Sequence, residues 1–291
     1  MTVISQYTYT FEKTMPHINK YIVITAISLF ALFGCGQVVN SNGAYVDVGG
    51  YRLYYEVSGS GSPTVLFENG SACELTDWGS VAPEIAKTNK IFLYDRAGLG
   101  KSDFGTCPRN ASRRVAELNT LLTSANITPP YIIVAHSLGA ILARDFQHLY
   151  PDKVLGLVLV DPGHEEMVTR GGSTFEALLW ETTVDACKRL SPGISAEAYG
   201  AFDTWTEVRA LSLESVGNIP LEVIMSTKVL DLVSDEAVNA VGLAAWRELQ
   251  RELVNQSPQG HLITAEGSGH YVQLEQPQLV IDAIKSVLGK M

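Results

Sequence analysis

Short runs of β-branched residues alternate along this chain with stretches of helical periodicity, and this alternation limits the possible folds more than any other feature. Thr64–Glu68, Lys90–Asp95, Tyr131–Ala135 and Val154–Val160 are apolar on successive positions. Strands covered on both faces require that pattern. Between and after them lie the helical stretches Arg113–Ala125 and Leu138–Tyr150. Two further strand signals, Leu221–Met225 and His261–Ala265, flank the helical run Glu236–Val254, and a last helix is expected over Gln278–Leu288. Upstream, Tyr45–Val48 and Tyr51–Val57 alternate in polarity around Gly49-Gly50, as in an antiparallel hairpin with a two-residue turn. The expectation is an α/β chain: a mostly parallel, doubly wound central sheet with an N-terminal antiparallel hairpin and flanking helices.

One segment interrupts the alternation. From Pro162 to Asn218, 57 residues, there is no strand signal, only the helical pieces Phe175–Leu190 and Thr204–Val216, punctuated by Gly171-Gly172 and Pro192-Gly193. That is too long for an ordinary loop. It reads as a helical lid (162–218) inserted after the sixth strand of a core formed by 44–161 and 219–291; the plainer alternative is a pair of helices packed on the sheet face. With 291 residues, 46% hydrophobic and 18% charged, the chain can bury one large core, so general disorder is excluded. A net charge of −10 repels phosphate backbones and argues against nucleic acid as a partner. The four cysteines lack paired spacing, which excludes a disulfide scaffold and a zinc ribbon.

The first 35 residues read as a targeting segment. Ile22–Phe33 is apolar, preceded by Lys20 and followed by Gly34-Cys35-Gly36. It is shorter than the ~20 residues of a membrane-spanning helix and suits the apolar region of a secretory signal. Leu32-Phe33-Gly34-Cys35 resembles a bacterial lipobox, with Cys35 as the lipidated residue and 36–43 as a linker. The leader would start at Met1 or at Met15. Gln37, two places after Cys35, implies by resemblance to Gram-negative lipoproteins an outer-membrane destination. The expected location is therefore the bacterial cell envelope or beyond, with membrane contact only through the lipid anchor. A buried N-terminal helix with an incidental cysteine is the alternative.

The chemistry concentrates where Tyr131–Val134 passes into a helix through Ala135-His136-Ser137-Leu138-Gly139-Ala140. A sharp strand-to-helix turn lifts a serine Oγ clear of the backbone and tolerates only small neighbours, here Ala135 and Gly139. The helix N-terminus beneath Ser137 favours developing negative charge. These residues resemble the nucleophile elbow of the α/β-hydrolase superfamily, and the resemblance extends from Tyr45 to the end of the chain. Asp95-Arg96-Ala97-Gly98-Leu99-Gly100-Lys101-Ser102 resembles the family's Asp-Arg-x-Gly-x-Gly-x-Ser loop, and Glu266-Gly267-Ser268-Gly269-His270 its histidine loop. Leu157–His164 with Gly267–Pro277 is most similar to a bacterial subgroup of lid-bearing, esterase-like hydrolases.

The resemblance implies a serine nucleophile at Ser137 and a base at His270, the one histidine in a glycine-rich loop between a strand and a helix. For the acid, the usual family position follows Leu221–Met225, where no carboxylate occurs before Asp231. The alternative follows the preceding strand, where Asp161 lies, and Asp161 is favoured. The oxyanion hole is expected from the backbone amides of Leu138 and Ser71, the latter in Asn69-Gly70-Ser71, where the family often has His-Gly-x. Asp95 is read as tying its own loop with Arg96 as its partner. Glu68 is read as solvated or salt-bridged, and His164 as a polar residue at the lid entrance. Cys73, Cys107 and Cys187 leave room for one disulfide with no pair favoured.

The function implied is hydrolysis of carboxylic esters through an acyl-enzyme, with a small ester-like molecule as substrate and neither cofactor nor metal. A lactonase, an amidase or peptidase, and a cofactor-free perhydrolase are alternatives on the same fold. A binding protein that kept the fold without turnover is the alternative from another class.

Overall fold

The computed structural model describes residues 42–291, apart from Leu190, Val229 and Asp231. The signal and lipobox readings, Cys35 among them, and the Asp231 alternative lie outside the described residues.

Eight strands form one sheet: β1 (Asn42–Asp47), β2 (Arg52–Ser58), β3 (Thr64–Glu68), β4 (Ile91–Tyr94), β5 (Tyr131–His136), β6 (Val154–Val160), β7 (Leu221–Ser226) and β8 (Gly260–Ala265). Their spatial order is β1-β2-β4-β3-β5-β6-β7-β8. β1 pairs antiparallel with β2 and β2 antiparallel with β4, whereas every later pairing is parallel. The β1–β2 turn depends on Gly49 and Gly50, both at positive φ (123° and 100°). Their amides donate to Asp47 Oδ1, each at 2.8 Å. A side chain that accepts from the turn it precedes fixes the hairpin register.

The helices are α1 (Ala82–Ile85), α2 (Ala111–Ser124), α3 (Leu138–Leu149), α4 (Met167–Cys187), α5 (Pro192–Leu211), α6 (Glu236–Leu253), α7 (Val272–Glu275) and α8 (Pro277–Leu288). They cover both faces of the sheet, which is why β3, β5 and β7 are buried at every position. In β5, Ile133 and Ala135 join a core with Leu118, Leu122 and Phe146 from α2 and α3. Ile132 and Val134 join the opposite core with Val280, Ile284 and Val287 from α8.

The segment between β6 and β7 is helical, but its helices are longer than the sequence suggests. Gly171-Gly172 does interrupt the helix: Gly172 is non-helical (φ 85°, ψ 164°), and α4 is two helical pieces joined across that kink. Ser191-Pro192-Gly193, by contrast, is a start signal. Ser191 Oγ accepts from Ile194 N and Pro192 opens the helix, so α5 begins twelve positions before the expected Thr204. α4 lies against α6: Phe175 is fully buried, and a Cβ on Gly242 would come within 2.2 Å of its ring. Among the described residues no helix is long and apolar enough to cross a membrane.

Candidate active site

The carboxyl ends of parallel strands all emerge on one edge of the sheet, and loops leaving adjacent strands there are forced together. β5 lies between β3 and β6, with Glu68 opposite Ala135 and Val160 opposite His136. The loops beginning at Asn69, Ser137 and Asp161 are therefore neighbours by topology alone.

Ser137 stands at φ 52°, ψ −120°, between the last residue of β5 and the first of α3. A non-glycine residue there stores about 1–3 kcal/mol of backbone strain, and its surroundings hold it in place. Ser137 N donates to Val160 O at 3.1 Å, while Gly163 N donates to Ser137 O at 2.9 Å. Small neighbours are a steric necessity. A Cβ on Gly139 would lie 2.6 Å from Asn69 O and 2.8 Å from Glu68 O. Ala135 is wholly buried in the core, so a methyl group fits where the family often has glycine.

His270 follows β8, in a loop tied to the end of β7. Thr227 N and Lys228 N donate to Ser268 O, and Gly267 N donates to Thr227 Oγ1. His270 Nε2 lies 2.9 Å from Ser137 Oγ and His270 Nδ1 lies 2.7 Å from Asp161 Oδ2. A carboxylate can only accept, so Nδ1 carries the ring proton and Nε2 is left to accept from the serine hydroxyl. The imidazole packs edge-on against Trp246, with ring centroids 5.1 Å apart.

Asp161 closes β6 at φ 40° and is 2% exposed. Its Oδ1 accepts from Ser226 N at 2.9 Å and from Gln250 Nε2 at 3.1 Å. Burial alone would raise this carboxyl, but the hydrogen bond and charge of His270, with the Ser226 and Gln250 donors, outweigh it and hold the group below its ordinary value. The turn after Asp161 is anchored as well. Trp246 Nε1 donates to Pro162 O, and Glu165 is held bidentate by buried Arg144 at 2.6 and 3.0 Å. Gln250, Ser226 and Trp246 could not be found from sequence, because each meets the site from a distant segment with no local motif; Arg144 lies on the elbow's own helix, but no pattern ties it to Glu165, 21 positions on.

His136 does not contact Ser137 through its side chain. It lies behind His270, rings 4.6 Å apart, and its Nε2 is 2.9 Å from His270 O. Burial, with His270 beside it, pushes its pKa down to about 3, so the ring is neutral and Nε2–H is the donor. Its Nδ1 has no hydrogen-bond partner among the described residues. A Cβ on Gly70 would lie 2.6 Å from that Nδ1, so this position needs glycine for space. His164 is buried, and its Nδ1 accepts from Glu166 N.

The loop after β3 departs from expectation in its partners. Asn69 is buried and tied at both ends of its amide, donating to Tyr94 O at 2.8 Å and accepting from Trp78 Nε1 at 2.7 Å. Asp95 does tie its own loop, accepting from Leu75 N and Lys101 N. Arg96, however, is not its partner: the guanidinium binds Glu68 and Glu197 instead. Glu68 is thus salt-bridged and not solvated. Neither the Leu138 nor the Ser71 amide finds an acceptor among the described residues.

Cys73, Cys107 and Cys187 are free, so no disulfide forms among them. Burial, with Asp77 beside it, pushes the Cys73 thiol well up, which leaves it unreactive. Among the described residues, no group of three or more His, Cys, Asp or Glu side chains is placed to hold a metal ion.

The arrangement can move a proton from a strained, accessible serine to an imidazole oriented by a buried carboxylate. Comparison with known proteins points the same way at a coarser level. The Bacillus subtilis (strain 168) uncharacterized protein YqjL is 29% identical over 229 residues, covering 79% of this chain and 85% of that protein. Among solved structures, a thermophilic esterase from Thermogutta terrifontis with malate bound superposes with a TM-score of 0.60 at 20% identity, over 87% of this chain and 99% of its own. The epoxide hydrolase CorEH gives 0.61 at 17% identity, over 86% and 99%. The model of the alpha/beta hydrolase family matches residues 65–283, well over half of the sequence. The chain belongs to the α/β-hydrolase family.

Proposed function

We propose that this chain is a serine hydrolase acting on carboxylic esters. His270 takes the proton of Ser137, Asp161 orients the imidazole and stabilises it once charged, and Ser137 Oγ attacks the ester carbonyl. The tetrahedral oxyanion accepts from the Leu138 and Ser71 amides. Collapse expels the alcohol, protonated by His270, and a water activated by the same imidazole releases the acid. The observation that carries this reading is the pair of contacts made by His270, 2.9 Å to Ser137 Oγ and 2.7 Å to Asp161 Oδ2. A serine at the elbow favours an acyl-enzyme over the alkyl-enzyme route, which requires a carboxylate nucleophile there.

A fluorophosphonate probe and a panel of p-nitrophenyl esters test it. Wild-type protein should be labelled at Ser137 and turn the esters over, and Ser137→Ala should do neither. Folded wild-type protein that takes no label would defeat the reading and leave a binding protein of this fold. Lactonase, amidase and perhydrolase activities use the same atoms and are separated by substrate alone. The helices α4 and α5 are proposed to form the lid that selects it. We also propose export with lipidation at Cys35; a Cys35→Ala chain that still incorporates a palmitate analogue would exclude the anchor.

A further inference from the structure

Arg96 is 2% exposed, and all five of its N–H groups have acceptors. Nη1 donates to Glu68 Oε1 and to Asn69 O, both at 2.6 Å. Nη2 donates to Gly70 O and, at 2.6 Å, to Glu197 Oε1, which Nε also reaches at 2.9 Å. The planar fork therefore grips two successive carbonyls of the loop that follows β3. In a trans peptide the N–H points opposite to the carbonyl of the same unit. Holding Asn69 O and Gly70 O on the guanidinium thus turns the Gly70 and Ser71 amides to the other side of the loop. The same stretch abuts the nucleophile helix, since a Cβ on Gly139 would strike Asn69 O at 2.6 Å.

The anion that completes this fork comes from the insertion. Glu197, on α5, is wholly buried between Arg96 and Arg114, whose Nη2 lies 3.0 Å from Glu197 Oε2 and also donates to Glu197 O. Backbones close up beside it: a Cβ on Gly193 would lie 2.1 Å from Gly98 O, and one on Gly200 2.3 Å from Arg109 O. The helix α5 is therefore clamped to the core at three points, and its carboxylate helps to fix the guanidinium that shapes the loop.

We propose that Arg96 is a positioning residue that sets the oxyanion loop through the Asn69 and Gly70 carbonyls, with Glu197 of the inserted helix α5 holding Arg96 in place. This rests on the serine-hydrolase reading above. A lysine at this position keeps the charge but loses the planar fork, so it cannot hold both carbonyls and both carboxylates.

The experiment compares wild type, Arg96→Lys, Glu197→Gln and the control Glu117→Gln. Glu117 is a buried carboxylate bonded to Arg109 and Tyr51 and to neither Arg96 nor the Asn69–Ser71 loop. The readouts are kcat and KM on p-nitrophenyl acetate, binding of a trifluoromethyl ketone that mimics the tetrahedral oxyanion, and thermal midpoint. Arg96→Lys should lower kcat by about 10²–10³-fold, the scale of one lost oxyanion donor, with KM within about threefold. The ketone should lose affinity by the same factor. Glu197→Gln should move both in the same direction by roughly tenfold and decides the matter if Arg96→Lys does not fold. Glu117→Gln should lower the midpoint and leave kcat near wild type.

Undiminished kcat in the folded variants, or a loss not mirrored in ketone affinity, would overturn the positioning role alone, since wild type would still be labelled and active. A loss of kcat in Glu117→Gln equal to that in Glu197→Gln would overturn it too. A wild type that neither hydrolyses the ester nor takes a fluorophosphonate would overturn the parent reading together with this one.

Discussion

Substituting Asp161 by asparagine changes one atom in the site, and the structure dictates how the new side chain must lie. Asp161 Oδ1 faces two donors, Ser226 N at 2.9 Å and Gln250 Nε2 at 3.1 Å, while Oδ2 faces His270 Nδ1 at 2.7 Å. An asparagine amide group turned toward Ser226 and Gln250 would set donor against donor twice, at a cost of about 1–3 kcal/mol for each buried group left unpaired. Its oxygen therefore stays there, and its –NH₂ meets His270 Nδ1. That nitrogen must then accept, so the ring proton moves to Nε2, which faces Ser137 Oγ as a donor and can no longer take a proton from it. Loss of the base and of the stabilising carboxylate together predicts a fall in kcat of about ten-thousand-fold, or ~5 kcal/mol of transition-state stabilisation. The assay is steady-state hydrolysis of p-nitrophenyl acetate, with Asp231→Asn in parallel, expected within about threefold of wild type on the same reasoning. An Asp161→Asn protein within threefold of wild type would refute the assignment of the acid and the tautomer argument with it.

Other consequences follow from single features. Ser137→Gly relieves the strain of φ 52° and should raise the thermal midpoint by a few degrees while abolishing turnover; a lowered midpoint would contradict a stored strain of about 1 kcal/mol. Gly139→Ala forces a methyl group to within 2.6 Å of a backbone oxygen and should cost roughly 1–3 kcal/mol of stability together with activity, read by urea unfolding and ester hydrolysis. His136 and His164 have native pKa values pushed down to about 3 and about 4. Below the ordinary value near 6.5 the unfolded chain takes up protons that the native chain refuses, so stability is full above that pH and falls on acidification. At pH 5 the loss is about 2 kcal/mol for each histidine. Urea midpoints that match at pH 7 and pH 5 would be inconsistent with both rings being buried and neutral.

What could be read from the sequence and what could not divide along chain separation. Strand and helix runs are local, and β3 and β6 have the bounds that their apolar residues suggest. The elbow was legible for the same reason: a buried run, a serine with small neighbours and a helical run are contiguous. The errors arose where local grammar carried two meanings. Gly171-Gly172 looks like a break and is one, at the non-helical Gly172, whereas Ser191-Pro192-Gly193 looks the same and is a cap followed by a first turn. Adjacent Asp95 is the partner that the local sequence suggests for Arg96, whereas the carboxylates it binds stand 28 and 101 positions away, on β3 and α5. No periodicity encodes a contact of that kind, because the sheet order and the docking of the insertion bring the partners together.

The proposed acid, Asp161, leaves a strand end that lies beside the end of the next strand. β6 and β7 are adjacent and parallel, and their ends are stitched to each other: Asp161 N donates to Ile224 O, and Ser226 N donates to Asp161 Oδ1. A carboxylate leaving either strand end emerges within one strand spacing, about 4.8 Å, of the other. The histidine loop, fastened to residues 227 and 228, hangs over both. Moving the acid from one strand to the next therefore demands little of the fold beyond a turn that aims the side chain. Here the aim comes from Asp161's positive φ, with Gln250 and Trp246 of α6 holding the turn that follows. A sequence pattern can name the strand ends that face the histidine. It cannot choose between them, because the choice depends on a backbone angle and a helix some 90 residues downstream.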